Sequence, residues 1–209
     1  MSNKELNIKK EGYINLLRLT QREGIEDLIT WLDTKTDFFT APASVSYHGN
    51  YPGGLCEHSL NVYQIAHGIV CNFNLYEDND LGIDENSVIL ASLLHDIYKV
   101  NYYTTYTRKG SDNSNNYEET HYKVDDKFPF GDGERSVIYA LEFIALTMEE
   151  MLAIRWHQNK AGHYNAQNSN AMTYNQAIDK FPLITIIHSA DILAGKVLGK
   201  IEKPKRRWV

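Results

Sequence analysis

The stretch VILASLLHDIYK, residues 88–99, decides how the rest of the chain is interpreted. Its apolar residues recur at helical spacing, and with Asp84 as an N-cap they predict a helix over residues 85–99. The apolar run ends in two chemically active side chains, His95 and Asp96. An ionised carboxylate beside an apolar stripe is costly unless it is paired or bound to a metal. The stretch therefore predicts a buried helix whose end carries a His–Asp pair.

Three more His and Asp side chains are placed at corresponding positions of other predicted helices. His58 opens one helix, His157 ends another, and Asp191 lies inside the last one. Any one of them alone is more simply explained as a helix cap or a buried hydrogen-bonding group. Five such residues on four helices favour one shared site, because imidazole and carboxylate together suit divalent cations of the Mn, Fe, Co, Ni and Zn type.

The remaining pattern is mostly helical, with one irregular insertion. Tyr-rich and Thr-rich runs between Asn101 and Val124 change the period and predict a β-hairpin. Thr147 and Glu150 have the spacing of a capping box, and a polar Asn- and Gln-rich loop is expected before Pro182. Besides residues 85–99, helices are predicted over residues 11–33 with a break at Gly24, 55–72, 134–146, 147–157 and 182–198.

Composition restricts the class of protein further. The 209 residues include 43% apolar residues, which predicts one globular domain with at most a small appendage. The formal net charge of −6 disfavours wrapping of duplex nucleic acid, although small phosphorylated substrates remain compatible. No apolar run is long enough to span a bilayer and no signal peptide is recognised, so we expect a cytoplasmic protein that does not contact a membrane.

The ordered motifs resemble the HD superfamily of metal-dependent phosphohydrolases. The resemblance rests on GGLCEHSL at residues 53–60, HDIYK at 95–99 and SADI at 189–192. It implies an all-α helical bundle with a small β-hairpin insertion and a metal site at its centre. On this basis the chain divides into an N-terminal helical segment over residues 1–46, an HD domain over 47–199 and a basic tail over 200–209.

The resemblance also implies which residues hold metal. Relatives with two metals use further histidines, one in a Gly-His-Gly turn before the fourth helix and one after the fifth helix. His157 matches the second of these positions, but the turn has Asp132 where His is expected. Asp132 is therefore predicted either as a substitute ligand or as a turn residue between two glycines. The ligands implied for the first metal are His58, His95, Asp96 and Asp191.

Several residues are candidates for catalysis or for substrate binding. Asp96 is a candidate bridging carboxylate between two cations. Lys99 lies four residues after His95 and is either a catalytic, phosphate-contacting ammonium or a charge that complements the helix dipole. Arg135, Lys160 and His48 are further candidates for contacts with substrate.

The function implied is hydrolysis of a phosphate ester of a nucleotide or related small molecule by a metal-activated water. The expected cofactor is one or two divalent ions of Mn, Fe, Ni, Co or Zn, and Mg is also compatible. Two alternatives stay open: a phosphodiesterase or 3′-to-5′ exonuclease on short single-stranded nucleic acid, and a non-catalytic nucleotide-sensing HD domain. Specificity is expected to depend on the insertion over residues 101–132. The oligomeric state is left open.

Overall fold

The computed structural model describes residues 3–74, 81–112, 115–158 and 169–199 of the chain. Within these ranges it contains eight α-helices and a two-stranded antiparallel sheet, which confirms the predicted all-α class with a small hairpin. The elements are α1 (Asn3–Leu19), α2 (Ile25–Thr34), α3 (Gly54–Asn74), α4 (Glu85–Leu94), β1 (Tyr103–Asp112), β2 (Asn115–Val124), α5 (Asp132–Leu141), α6 (Met148–Trp156), α7 (Ser169–Lys180) and α8 (Pro182–Leu193).

Helix α4 is the centre of the bundle. Every residue from Ser87 to Leu94 is buried, as expected for a helix that is apolar on all faces. Helices α1, α3, α5, α6 and α8 all pack against it. The residues that directly follow Leu94 therefore lie in the interior of the bundle.

The N-terminal helices cover one side of this centre. Tyr13 of α1 is fully buried and its hydroxyl donates a hydrogen bond to the Leu93 carbonyl at 2.8 Å. Between α1 and α2 the chain turns at Gly24, whose φ of +83° favours glycine. A Cβ at this position would lie 1.9 Å from the Phe143 carbonyl oxygen. The predicted helix break at Gly24 is confirmed, and it is required by this close packing.

Helix α4 is shorter than the helix predicted over residues 85–99. It ends at Leu94, His95 and Asp96 form a turn, and a 3₁₀ segment follows over Ile97–Lys99. The last predicted helix likewise ends at Leu193 and continues as a π-helical turn over Ala194–Leu198. Residues in such turns keep the helical apolar spacing, so periodicity alone does not separate them from α-helix.

Helix α7 was not predicted, because this part of the chain was expected to be a polar loop. Ala177 is buried, and Tyr174 and Ile178 pack against the core. These three positions follow helical spacing, but polar neighbours hide them in the sequence. The loop prediction is therefore wrong for Ser169–Lys180, and the remainder of that predicted loop lies outside the described residues.

The predicted hairpin is confirmed in the inserted segment. Strands β1 and β2 pair in a regular antiparallel register that begins with Tyr103 opposite Val124. Tyr106 and His121 face each other across the strands with ring centroids 5.5 Å apart. The basic tail over residues 200–209 lies outside the described residues.

No single helix among the described residues is long and apolar enough to cross a membrane. The segments Met172–Lys180 and Pro182–Leu198 meet the length and composition criteria only as a pair, and a 105° bend separates them.

A buried carboxylate joins three parts of the bundle. Glu150 completes the predicted capping box with Thr147, which the structure confirms, and its side chain is fully buried. The carboxylate pairs with Arg22 at 2.7 Å and accepts a hydrogen bond from the Ser87 hydroxyl at 2.9 Å. The start of α6 is thereby tied to α4 and to the turn before α2.

We expect Glu150→Ala to lower the free energy of unfolding by about 3 kcal/mol, because it removes a helix cap and leaves the Arg22 charge without its buried partner. Glu150→Gln keeps the cap and should cost less. Glu26→Ala removes an exposed pair with Arg18 and is the surface control, with little effect. Urea unfolding followed by circular dichroism gives all three values; equal losses for Glu150→Ala and Glu26→Ala would contradict the assignment.

Candidate metal centre

The His–Asp pair is positioned by the way α4 ends. The His95 side chain is fully buried, and its Nδ1 donates a hydrogen bond to the Ser92 carbonyl at 2.7 Å. The Ser136 hydroxyl, from α5, donates to the His95 carbonyl at 2.6 Å and accepts from the Tyr98 N–H at 3.2 Å. Both the ring and the backbone of this turn are therefore held in place from two helices.

His58 and Asp191 complete one side of the site. His58 lies at the start of α3 and is buried, with its Nε2 3.0 Å from Asp191 Oδ1 of α8. The same nitrogen is 3.3 Å from Nε2 of His95. The structure thus brings together side chains from three helices that are distant in sequence.

His157 lies on the other side of the site, and its ring is oriented by the same kind of hydrogen bond as that of His95. It follows the end of α6, and its Nδ1 donates a hydrogen bond to the carbonyl of Ile154, three residues earlier, at 2.7 Å. His188 of α8 in turn donates from Nδ1 to the His157 carbonyl at 2.7 Å. Nε2 of His157 therefore faces the Asp96 carboxylate, 3.4 Å from Oδ1.

The arrangement fits a divalent cation. Because Nδ1 of His95 and of His157 each donate to a carbonyl, a neutral ring leaves the lone pair on Nε2 in both cases. Nε2 of His157 and Oδ1 of Asp96 are buried, and neither has a hydrogen-bond partner among the described residues. Potential ligand atoms lie within 4.8 Å of one another in two groups, His58–His95–Asp191 and His95–Asp96–His157. Buried nitrogen and oxygen atoms whose lone pairs face each other, with no proton between them, are stabilised by a metal ion.

Electrostatics keeps Asp96 ionised. Burial by itself raises the pKa of its carboxyl, but the Lys99 ammonium and the neighbouring His95 ring outweigh burial and hold that pKa well below its usual range. Lys99 Nζ is 2.6 Å from Asp96 Oδ2 and donates to the Ala43 carbonyl at 2.9 Å. Burial by itself lowers the pKa of Lys99. The neighbouring Asp96 carboxylate raises that pKa by more than burial lowers it, so the ammonium stays charged. Each group maintains the charge of the other.

Asp191 behaves in the same way on the opposite side of the site. Burial raises the pKa of its carboxyl, and the hydrogen bond from His58 together with the neighbouring His95 ring lowers that pKa by more. Both candidate carboxylate ligands are therefore anionic across the neutral pH range.

His48 lies at the edge of this cluster. Its ring centroid is 4.5 Å from that of His58, and its buried Nε2 has no hydrogen-bond partner within the ranges that the structure describes. Burial, and then the neighbouring His58, lower the pKa of His48 to about 4. His48 is consequently neutral near pH 7, and its predicted contact with substrate stays a prediction.

The other predicted residues have different surroundings. Arg135 is almost fully buried and pairs with Asp126 at 2.8 Å and with Asp132 at 3.0 Å. Asp132 is the first residue of α5 and belongs to neither group of potential ligands. Lys160 lies outside the described residues. The substrate-binding roles of Lys99, Arg135 and Lys160 and the ligand role of Asp132 stay predictions.

Sequence reasoning missed two residues that support the site. Ser136 fixes the His95–Asp96 turn, as described above, and Tyr103 at the base of the hairpin donates from its hydroxyl to the Ala43 carbonyl at 3.3 Å. The same carbonyl accepts from Lys99. No sequence motif indicates either contact, because each one joins elements that only the fold brings together.

Comparison with known proteins identifies the family. The HD domain family matches residues 55–194, which is more than half of the chain. The chain therefore belongs to the HD domain family, and the prediction from its motifs is confirmed.

One curated relative is also similar to part of the chain. This protein of Methanocaldococcus jannaschii, named dihydroneopterin 2′,3′-cyclic phosphate phosphodiesterase, is 37% identical over 68 residues. The aligned region covers 32% of this chain and 26% of the relative, so it represents about a quarter of that protein's length. No solved structure matches the chain significantly.

We expect divalent Mn, Co or Ni to raise the melting temperature of the protein, because an ion that binds only the folded state stabilises it. His58→Ala and Asp96→Asn should abolish most of this rise. His67→Ala is the matched control, since His67 pairs with Glu85 on the outer face of α3 and not with the site. Thermal unfolding with and without metal provides the test; an unchanged rise in Asp96→Asn would place the metal elsewhere.

Asp132→Asn tests the open ligand assignment. We expect it to leave the metal content unchanged, because the Asp132 carboxylate pairs with Arg135 and is outside both ligand groups. His157→Ala should instead reduce metal content, because it removes a donor of the second group. Elemental analysis after dialysis against Mn²⁺ measures both; loss of about one equivalent in Asp132→Asn would establish it as a ligand.

Proposed function

We propose that this protein is a metal-dependent phosphohydrolase that acts on a phosphate ester of a nucleotide or a similar small molecule. The observation that carries the proposal is the Asp96 carboxylate, buried and ionised, with imidazole nitrogens of three helices directed toward it. Plain packing does not require five polar side chains at the centre of a bundle. Membership of the HD domain family supports hydrolysis of phosphate esters.

The protein contributes a preformed ligand set to this chemistry. His58, His95, Asp96, Asp191 and His157 would hold the metal. A divalent cation at this position supplies Lewis acidity, which acidifies a water and offsets charge on phosphoryl oxygens. The hydrogen bonds from Nδ1 of His95 and His157 orient their rings, so these rings need no reorientation when a metal ion binds.

Lys99 holds the orientation of Asp96. Its ammonium contacts only Oδ2 of the carboxylate, which leaves Oδ1 directed toward His157. The side chain is almost fully buried and also bonded to the Ala43 carbonyl, so a contact with substrate phosphate would require it to leave at least one partner. The geometry thus favours positioning of Asp96 as the main contribution of Lys99.

Nitrogen and oxygen donors without thiolate favour Mn, Fe, Co, Ni or Zn, and the two carboxylates also admit Mg. We propose Mn²⁺ as the first ion to test, because hard carboxylate oxygens and borderline imidazoles are both present. One or two ions are compatible with the two ligand groups that share His95.

A phosphodiester is the favoured substrate bond. The relative in Methanocaldococcus jannaschii is named as a phosphodiesterase of a cyclic phosphate of a small pterin. This supports a small cyclic or acyclic phosphodiester in preference to a nucleic acid strand, a preference that the net charge of −6 also supports.

The purified protein with Mn²⁺, Co²⁺ or Ni²⁺ should hydrolyse 2′,3′-cyclic nucleotides or generic phosphodiesters. His95→Ala and Asp96→Ala should lower turnover by at least about 10³-fold, because each removes a ligand of the metal that activates the nucleophile. Circular dichroism should show that both variants retain the helical fold. Phosphate-release and product-chromatography assays measure the rates.

A control variant makes this test specific. His67→Ala changes a histidine that pairs with Glu85 on the outer face of α3, away from the site, and should retain wild-type turnover. Retained activity in Asp96→Ala, or no activity of the metal-loaded protein on any phosphate ester in a broad panel, would overturn the proposal. The second outcome would support the non-catalytic alternative.

A further inference from the structure

A cavity of about 350 Å³ lies where the segment after Asp96 meets α2, α5 and the chain following β2. None of the five candidate metal-binding side chains lines it. Five of its lining residues are aromatic, and we call it the aromatic cavity. These are Trp31, Tyr98, Tyr102, Phe128 and Tyr139.

The aromatic rings form two groups around this space. Tyr139 contacts Trp31 with ring centroids 5.7 Å apart and Phe128 at 6.4 Å. Tyr98 and Tyr102 contact each other edge to face at 5.6 Å. Trp31, Tyr102 and Tyr139 are only half-buried and Phe128 is exposed, so apolar ring surface remains open to a ligand. Cavities of this size with aromatic linings suit small planar ligands.

Arg135 provides a polar group in the same cavity. Its guanidinium lies 4.9 Å from the Tyr98 ring centroid and 5.1 Å from that of Tyr102. Its two terminal nitrogens pair with Asp126 and Asp132. Nε is buried in a side chain that is only 2% exposed, and no residue in the described part of the chain accepts a hydrogen bond from it. A buried N–H without an acceptor is costly, so an acceptor supplied by a ligand would satisfy it.

The charges around the cavity balance. Its lining includes the cations Lys127 and Arg135 and the anions Asp126 and Glu142. Arg135 already contacts two carboxylates, and Lys127 is 3.6 Å from Asp125. Among the described lining residues no surplus positive charge is available for a phosphate. The carboxylates at the rim can accept hydrogen bonds from ring or exocyclic N–H groups.

We propose that the aromatic cavity binds an uncharged, planar heteroaromatic compound of the class of a purine base or nucleoside. The ligand ring stacks on Trp31 and contacts Tyr139, whose ring is tilted 57° from that of Trp31. An acceptor atom of the ligand ring bonds to Arg135 Nε. The ligand's own N–H groups donate to Glu142 or Asp126. Because none of the candidate metal ligands lines the cavity, this binding requires neither bound metal nor hydrolysis.

The test is calorimetric titration of adenosine and guanosine into the full-length protein in excess EDTA. Saturable binding of at least one nucleoside is expected. Trp31→Leu should weaken it about 10-fold, as expected for loss of one stacking ring. Since Trp31 also packs on Phe143, the exposed Phe128→Ser provides a second variant whose folding is not at risk, and it should weaken binding less. Met148→Ser, an exposed position of α6 outside the cavity, should leave affinity unchanged.

Three results would overturn the proposal. The first is no binding up to the solubility limit of either nucleoside. The second is equal affinity in wild type, Trp31→Leu and Phe128→Ser. The third is loss of binding in His58→Ala with retention in Phe128→Ser, which would locate the nucleoside at the metal centre. Each result is obtained without metal, so it is independent of whether the protein hydrolyses a phosphate ester.

Discussion

The central constraint on this structure is the negative charge of Asp96 in the interior of a helical bundle. Burial of an ionised carboxylate is unfavourable unless surrounding groups compensate it. Lys99 compensates one oxygen, and His157 faces the other. The pKa of Asp96 is held low by these surroundings despite burial. The fold thus contains a preformed anionic centre rather than a neutral core.

The bundle achieves this arrangement by ending helices at its centre. His95 follows α4 and His157 follows α6, and each ring is fixed by a hydrogen bond from Nδ1 to the carbonyl three residues before it. A helix end supplies such a carbonyl, since the last turn has no internal donor for it. Orientation of the ligand rings therefore comes from the same local geometry that terminates the helices, while α3 and α8 contribute His58 and Asp191 from the opposite side.

The sequence predicted more of the site than of its surroundings. His58, His95, Asp96, His157 and Asp191 were recognised because ionisable residues beside apolar stripes are rare in a plain core. The surroundings depend on contacts between distant segments. Ser136 lies 41 residues from His95, to which it bonds, and no local pattern indicates that contact. Helix α7 was missed because only three spaced apolar residues identify it among polar neighbours. The sequence makes Arg135 a candidate contact with substrate, but it does not indicate that the fold places Asp126 and Asp132 around its guanidinium.

The most direct test of this account is anomalous X-ray diffraction from crystals of the Mn²⁺-loaded protein, which locates the ion independently of activity. The account predicts anomalous density between α3, α4, α6 and α8, with Asp96 and at least His58, His95 and Asp191 within about 2.0–2.3 Å of the ion, as for other imidazole and carboxylate ligands. Density bound to other residues, such as His67 and Glu85, or full loading without any contact to Asp96, would contradict it.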